Sequence, residues 1–275
     1  MKKNVFAIIC MMSAMSCSEK SKLPKEKYYQ FEYTANYTYN HDTLTITISN
    51  PLNCPLRVSV SSVDKTVNDI VGRCGFITLQ AKGDTTIPYL VQAQNNIALT
   101  FNSLLGDADK AIVKQPFSLP FVKNRSYSII EGYNGSFSHN TDYSRCAIDF
   151  SLQISDTVCA AANGYVVGVI KDYEKAGSTH DWINYANYIT IYHPQSGLFT
   201  QYVHLHKNGA LVKVGDTVVK EQPIGLVGMT GFTTTPHLHF NVLKPDKKQG
   251  LVSTAVEFEQ GYKGAALVQT GSVKK

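Results

Sequence analysis

The sequence lacks the marks of several large protein classes. Heptad patterns, tandem repeats and low-complexity tracts are missing, which argues against coiled coils and repeat arrays. Charged residues make up only 17% of the chain, and the net charge of +5 is too small to indicate nucleic acid binding. The apolar run at positions 5–15 is too short to span a bilayer as a helix. With 43% hydrophobic residues, a packed globular core is expected.

Cysteine is scarce, and its spacing excludes a common type of metal site. The chain contains six cysteines, and none of them forms a CxxC motif, so zinc binding by cysteine is not expected. Outside the N-terminal segment, the simplest arrangement pairs Cys54 with Cys74 and Cys146 with Cys159. The sequence alone leaves this connectivity open.

The first residues have the pattern of a bacterial export signal. Two lysines precede the apolar run, which leads into AMSC, a sequence that resembles a lipobox ending at Cys17. We expect residues 1–17 to be a lipoprotein signal peptide and the polar residues 18–27 to be a tether. An ordinary cleaved signal, with Cys17 incidental, is the alternative. Either reading predicts an exported cell-envelope protein; the first adds a lipid anchor to a membrane, facing the periplasm or cell surface.

Short strands separated by turns are predicted between residues 28 and 118. TLTITIS at positions 43–49 alternates apolar and polar residues, and LRVSVSS at 56–62 is similar. Several short strands at this spacing predict an immunoglobulin-like β-sandwich. LLGDADKAIV at 104–113 is either a short helix or an irregular connection. No cluster of catalytic residue types occurs in this region.

Residues 119–275 are richer in glycine and carry the candidate chemistry. TTTPHLHFNV, at 233–242, reads as a strand in which His237 and His239 project from the same face. Asp149 lies between apolar residues in AIDF, where a buried carboxylate needs a partner or a cation. With His139, from the loop GYNGSFSH, Asp149 and His239 would form a zinc site of two nitrogens and one oxygen. Asp142 is a competing carboxylate in a polar turn.

From about residue 119 to 258 the chain resembles the lysostaphin-type (LytM-like) zinc metallopeptidases, which cleave peptidoglycan. The motifs that carry the resemblance occur in the order of that family: GYNGSFSH, YSRCAIDFSL, TVCAAANGYVVGV, NYITIYH, QYVHL, VKVGDTV and PIGLVGMTGFTTTPHLHF. The resemblance implies an all-β protein in which the sandwich is followed by a LytM-type antiparallel sheet with a zinc groove.

The resemblance also implies roles for individual residues. His139, Asp149 and His239 would bind Zn²⁺, while His204 and His237 would be unligated catalytic histidines. The implied reaction is hydrolysis of peptide cross-links, and the implied partner is the peptide stem of peptidoglycan. The interval from His139 to Asp149 is longer than the HxxxD spacing of short family members.

Several assignments around this site stay secondary. His206 follows His204 by two residues and would share its face in a strand, which makes it a rim residue. Asn187 and Tyr202 match family positions that line the groove. A non-catalytic regulator, which binds and activates another cell-wall hydrolase, is the alternative function.

Overall fold

The structure, a computed structural model, describes residues 23–92 and 97–275. Strands predominate over these residues, so the all-β prediction is confirmed at this coarse level. None of the helices in the described ranges is long and apolar enough to cross a membrane. The predicted signal peptide with its Cys17, and residues 18–22 of the predicted tether, lie outside the described residues.

The N-terminal region forms two antiparallel sheets of three strands each. Their orders are β1-β2-β5 and β4-β3-β6. The strands are β1 (Thr34–Asn40), β2 (Thr43–Ser49), β3 (Leu56–Ser62), β4 (Phe76–Leu79), β5 (Asp84–Leu90) and β6 (Leu99–Leu105). In β2 the alternate residues Leu44, Ile46 and Ile48 are fully buried, as the apolar-polar alternation predicts.

Two details of this region differ from the sequence prediction. A short helix, α1 (Lys65–Val71), follows β3, and the Asp64 side chain caps it by accepting a hydrogen bond from the Val67 N–H. Residues 104–113 contain the end of β6 and then irregular backbone, so a helix is wrong there and an irregular connection is right. Both sheets contribute to one hydrophobic cluster, but the immunoglobulin-like assignment is not confirmed.

The C-terminal region is built on a large sheet with a second sheet packed against it. Its strands are β7 (Ser126–Glu131), β8 (Ile148–Phe150), β9 (Thr157–Cys159), β10 (Gly164–Ile170), β11 (Ala176–Gly177), β12 (Tyr188–His193), β13 (Leu198–Val203), β14 (Leu205–Ala210), β15 (Thr217–Val218), β16 (Pro223–Val227), β17 (Gly231–Phe232), β18 (Leu238–Asp246), β19 (Gly250–Ser253) and β20 (Ser272–Lys274). The large sheet has the order β15-β10-β12-β13-β18-β8-β7-β20, with β19 also pairing β18. The second sheet has the order β14-β16-β9, and β11 pairs β17 in parallel.

The two faces of the large sheet have different partners. In β18, Leu238, Phe240 and Val242 enter the main core that includes Leu205 of the second sheet. His239 lies on the opposite face, because side chains alternate along a strand. That face carries the polar residues considered below.

The N-terminal region covers one end of the polar face. Its hydrophobic cluster includes Tyr192, Phe199 and Leu243 from the large sheet. These three residues lie in register on neighbouring strands, and Leu243 is on the same face of β18 as His239. The two regions therefore share a core, which fixes the N-terminal region beside the face that holds the histidines.

The predicted disulfide pairing is wrong. Cys54, Cys146 and Cys159 are free thiols. Cys146 precedes β8 of the large sheet, and its N–H donates to the Ser253 hydroxyl, whereas Cys159 lies in β9 of the second sheet. Cys54 is enclosed by the N-terminal hydrophobic cluster, and this burial raises the pKa of its thiol.

Candidate metal centre

Three predicted ligands converge at one point on the large sheet. Asp149 of β8 and His239 of β18 are directly opposite each other in the strand register. His139 reaches them from the loop that follows β7. His139 Nε2 lies 3.2 Å from Asp149 Oδ1 and 3.1 Å from His239 Nδ1, and the last two atoms are 2.9 Å apart. All three side chains are nearly inaccessible to solvent.

The arrangement of these donor atoms fits a metal ion. Tetrahedral coordination with bonds of about 2.0–2.2 Å separates the ligand atoms by roughly 3.3–3.6 Å, which is within a few tenths of an ångström of the separations observed. The three residues together offer one ligand atom each within a single small cluster. Two imidazoles, one carboxylate and an open position are typical of a catalytic metal site.

The tautomer of His139 supports the same reading. Its Nδ1 lies 2.8 Å from the Gly132 carbonyl oxygen, which can only accept, so Nδ1 carries the proton. In the neutral ring Nε2 then presents a lone pair to the carboxylate of Asp149. Two acceptors at this distance repel unless a cation lies between them. Burial alone would lower the pKa of His139, but Asp149 raises it above its ordinary value, so in the absence of a metal ion a proton on Nε2 can serve as that cation. A ligand histidine anchored through its other nitrogen is the usual arrangement around a protein metal ion.

His204 and His237 lie beside the candidate ligands. The ring centroids of His204 and His237 are 4.5 Å apart, and that of His204 is 6.0 Å from the His239 centroid. His237 Nε2 is 3.4 Å from Asp149 Oδ2. Each ring is anchored at Nδ1 by a carbonyl oxygen, Thr230 for His204 at 2.7 Å and Thr235 for His237 at 2.9 Å. The proton on Nδ1 leaves Nε2 of each ring, when it is neutral, with a lone pair that can accept.

Burial sets the charge states in this cluster. Burial together with the neighbouring His237 and His239 holds the pKa of His204 well below its ordinary value, so His204 is neutral at pH 7. Burial opposes ionisation of Asp149, but the His237 and His239 rings hold the pKa of its carboxyl well below the ordinary value. The centre thus combines a carboxylate with at least one neutral imidazole that can accept a proton.

The backbone at His204 departs from the predicted strand. β13 ends at Val203 and β14 begins at Leu205, while His204 adopts a φ of 65°, in the left-handed region. Non-glycine residues adopt this conformation at an energetic cost, and it is enriched at functional sites. Because the strand is interrupted, the alternation argument fails for His206. The His206 ring is exposed and contacts its own chain at the Lys207 carbonyl.

Glu131 is a site residue that the sequence reasoning missed. It is opposite Asp149 in the pairing of β7 with β8. One carboxylate oxygen accepts from the Phe137 N–H at 2.8 Å, and the other accepts from the Ser138 hydroxyl at 2.7 Å and the Ser138 N–H at 3.2 Å. Glu131 Oε2 is also 3.9 Å from His139 Nε2. Glu131 therefore fixes the loop that presents His139. The available signal was a carboxylate that follows the apolar pair Ile129-Ile130 just before the GYNGSFSH motif.

Other predicted residues lie outside the centre. Asp142 pairs with Arg145, and its second oxygen accepts from Gln249. The side chain of Asn187 is buried and bonds the backbone of Tyr173 and Leu205, so it supports the groove without lining it. Tyr202 is fully buried in the main core on the opposite face of the sheet, so its placement in the groove is wrong.

Two cavities flank the centre. The larger, of about 610 Å³, reaches His204 and His239, and the smaller, of about 380 Å³, reaches Asp149 and His237. Phe137 of the smaller cavity stacks on Phe232 of the larger, with ring centroids 4.7 Å apart. An extended chain that occupied both cavities would pass the metal centre between them.

A family model and several known proteins match part of this chain. Residues 144–252 match peptidase family M23, which confirms the resemblance drawn from the motifs. The peptidoglycan DD-endopeptidase ShyB of Vibrio cholerae is 40% identical over 95 residues, which are 34% of this chain and 19% of that protein. Lysostaphin of Staphylococcus simulans is 40% identical over 96 residues, which are 34% of this chain and 17% of that protein. The chain thus spans about a fifth of the length of these curated relatives.

One solved structure similar to this chain is the catalytic domain of the antimicrobial peptidase lysostaphin from Staphylococcus simulans. The likeness covers 47% of this chain and 87% of that chain, with 26% identity and a TM-score of 0.33. A score this low adds no argument to those from the sequence match and the site geometry.

Proposed function

We propose that this chain, which carries a peptidase family M23 domain at residues 144–252, is a zinc-dependent endopeptidase that hydrolyses peptide cross-links of bacterial peptidoglycan. One observation carries the proposal. Three ligand atoms meet at a point, and two further imidazoles beside them are each anchored at Nδ1 by a backbone carbonyl oxygen. The relatives named as peptidoglycan DD-endopeptidase and lysostaphin support the substrate class.

The ligand roles follow from the donor set. His139 Nε2, Asp149 Oδ1 and His239 Nδ1 would hold Zn²⁺ and leave a fourth position open. Zinc bound there would polarise the scissile carbonyl and lower the pKa of a water molecule.

His204 and His237 would carry the proton of the reaction. Both rings are fixed at Nδ1, so each accepts at Nε2, and His204 is held neutral by burial. The ring nearer the attacking water takes its proton at Nε2 and returns it to the nitrogen of the leaving amine. The other ring, when protonated, donates to the developing oxyanion.

The alternative is a LytM-like regulator that binds and activates another cell-wall hydrolase. Such a protein needs neither a metal nor proton-carrying histidines. Here all five side chains are present, and hydrogen bonds from Nδ1 to backbone carbonyl oxygens orient the rings of His139, His204 and His237. This retention favours the enzyme.

We further propose the location and the division of the chain. Residues 1–17 would be a lipoprotein signal peptide, Cys17 the site of a lipid anchor, and 18–27 a tether. Residues 28–118 would form one domain and 119–275 the metallopeptidase domain, in the cell envelope. The export pattern of the first residues and the cell-wall relatives support this assignment.

Purified residues 18–275 should be incubated with peptidoglycan sacculi, with and without a zinc chelator, and the products identified by mass spectrometry. We expect loss of cross-linked dimers that stops with the chelator and returns when zinc is added. His239→Ala should be inactive and lose zinc, while His41→Ala, at an exposed turn, should behave like the wild type. No cleavage by folded, zinc-loaded protein would overturn the proposal.

A further inference from the structure

Residues 27–30, here called the strap, lie far from the peptidase segment in sequence but border its larger cavity. Lys27, Tyr28 and Tyr29 line this cavity together with His204 and His239. Tyr29 is 80% exposed, so a large aromatic side chain at the border of the cavity is accessible to a bound chain. The strap therefore belongs to the surface that a bound chain would meet.

The floor of the larger cavity is a row of residues that crosses four strands. His239 of β18 pairs with Val203 of β13, Val203 with Tyr188 of β12, and Tyr188 with Ile170 of β10. All four residues line the cavity. Neighbouring strands are about 4.8 Å apart, so the row extends roughly 14 Å from the candidate metal ligand.

The strap lies at the end of this row, beyond β10. Its Gln30 carbonyl accepts from the Val169 N–H at 2.9 Å. Strand β15 pairs β10 only at Gly164 and Tyr165, so the outer edge of β10 at Val169 is left to the strap. The floor row meets the strap just past Ile170, where the strap residues Tyr28 and Tyr29 also line the cavity.

Side chains hold the strap firmly in this position. Gln30 Oε1 accepts from the Thr190 hydroxyl at 3.2 Å. The Gln30 side chain lies directly over Gly168, where an added Cβ would clash with Gln30 Oε1. The Tyr28 N–H donates to the Tyr173 hydroxyl, and the two rings meet edge to face with centroids 4.9 Å apart. Contacts with two strands, β10 and β12, and with the Tyr173 ring therefore hold the strap as a wall at this end of the cavity.

We infer that the strap is a specificity determinant that closes one end of the substrate groove. At about 3.3 Å for each extended residue, the roughly 14 Å floor accommodates about four residues between the metal centre and the strap. The substrate chain must therefore end, or turn out of the groove, within about four residues on that side of the scissile bond. This inference rests on the proposed peptidase function.

The test measures cleavage of synthetic peptides that contain the peptide bond cleaved in sacculi. On one side of this bond at a time, the peptides would carry glycine flanks of about two, four or eight residues. For the wild type we expect kcat/KM to fall at least about tenfold between the middle and the longest flank on one side only. The double variant Tyr28→Ala with Tyr29→Ala should lift that limit, since it removes both rings but keeps the backbone contacts. Tyr37→Ala, at another partly exposed tyrosine, is the matched control.

Each outcome has a separate meaning. If the wild type cleaves every flank length equally on both sides, the groove is not closed and the inference is wrong, although the peptidase function stands. If the double substitution raises kcat/KM by the same factor for short and for long peptides, the strap covers the catalytic centre and does not select by length, and the inference is wrong. If no peptide and no sacculi are cleaved, it is the proposed function that fails. Gln30→Ala, which loosens the strap from Thr190, should reproduce the relaxed length limit in a second variant.

Discussion

Replacement of Glu131 by alanine should weaken zinc binding, although Glu131 is not one of the three proposed ligands. Its carboxylate holds Phe137 and Ser138, which immediately precede His139. Loss of the carboxylate leaves two backbone N–H groups and one hydroxyl without their acceptor. The loop can then no longer hold His139 in the position from which Nε2 points at Asp149 and His239.

The expected size follows from these contacts. Hydrogen bonds to a charged group contribute about 1.5–3 kcal/mol each, and part of this is recovered when water reaches the partly buried loop. Loss of an outer residue that orients a metal ligand reduces metal affinity about 10–100-fold, which corresponds to roughly 1.4–2.7 kcal/mol. Glu131→Gln keeps one acceptor oxygen for the Phe137 N–H, but its amide cannot accept from the Ser138 N–H. Its affinity should lie between those of wild type and Glu131→Ala.

The assay is competition for zinc against a chelator of known affinity. Glu32→Gln, at an exposed glutamate in the N-terminal region, is the matched control and should bind zinc like the wild type. Circular dichroism would check that each variant is folded. Equal zinc affinity in folded Glu131→Ala and wild type would refute the positioning role of this carboxylate.

Three further predictions follow from individual residues. Asp149→Asn should weaken zinc binding by about a hundredfold or more. Asp142→Asn, which changes a carboxylate bonded to Arg145, should leave zinc binding unchanged. The reverse result would make Asp142 the zinc ligand in place of Asp149. Burial lowers the pKa of His193 to about 4 from an ordinary 6.5. Between these pH values the unfolded chain therefore binds more protons at this residue than the folded chain does. As the pH decreases from 6.5 to 4, the contribution of His193 should lower the free energy of unfolding by about 3 kcal/mol. Denaturant titrations of metal-free wild type across this pH range would check it, and an equal pH dependence in metal-free His193→Gln would contradict it. The Cys54 thiol should resist a maleimide until the protein unfolds, and a disulfide at Cys54 would contradict the free thiol.

The parts of the fold that sequence could predict are those governed by local alternation. TLTITIS forms β2 with its apolar residues buried, and the two histidines of PHLHF reach the same carboxylate. AIDF places Asp149 in a short buried strand, as its apolar neighbours predict. In each case the residues that determine the structure are adjacent in the chain.

The parts that sequence could not predict depend on contacts distant in the chain or on unusual backbone. The left-handed conformation of His204 accompanies its bond to the Thr230 carbonyl, 26 positions away, so strand alternation does not extend from His204 to His206. The strap reaches Thr190 across 160 positions, and no local pattern in residues 27–30 signals that contact. The cysteine pairing was wrong for the same reason, since proximity in sequence does not place Cys146 and Cys159 in one sheet.

The most direct test of the central claim measures zinc content and sacculus cleavage in the same samples of wild type and His237→Ala. His237 contacts Asp149 only through Oδ2, and its ring is held by the Thr235 carbonyl, so the variant should keep the three proposed ligands in place. We expect one zinc ion per chain in both proteins, because the described residues contain a single ligand cluster. We also expect the cleavage rate of the variant to be lower than that of the wild type by at least about a hundredfold. Near-normal cleavage by zinc-loaded His237→Ala, or cleavage by wild type stripped of zinc, would contradict the central claim.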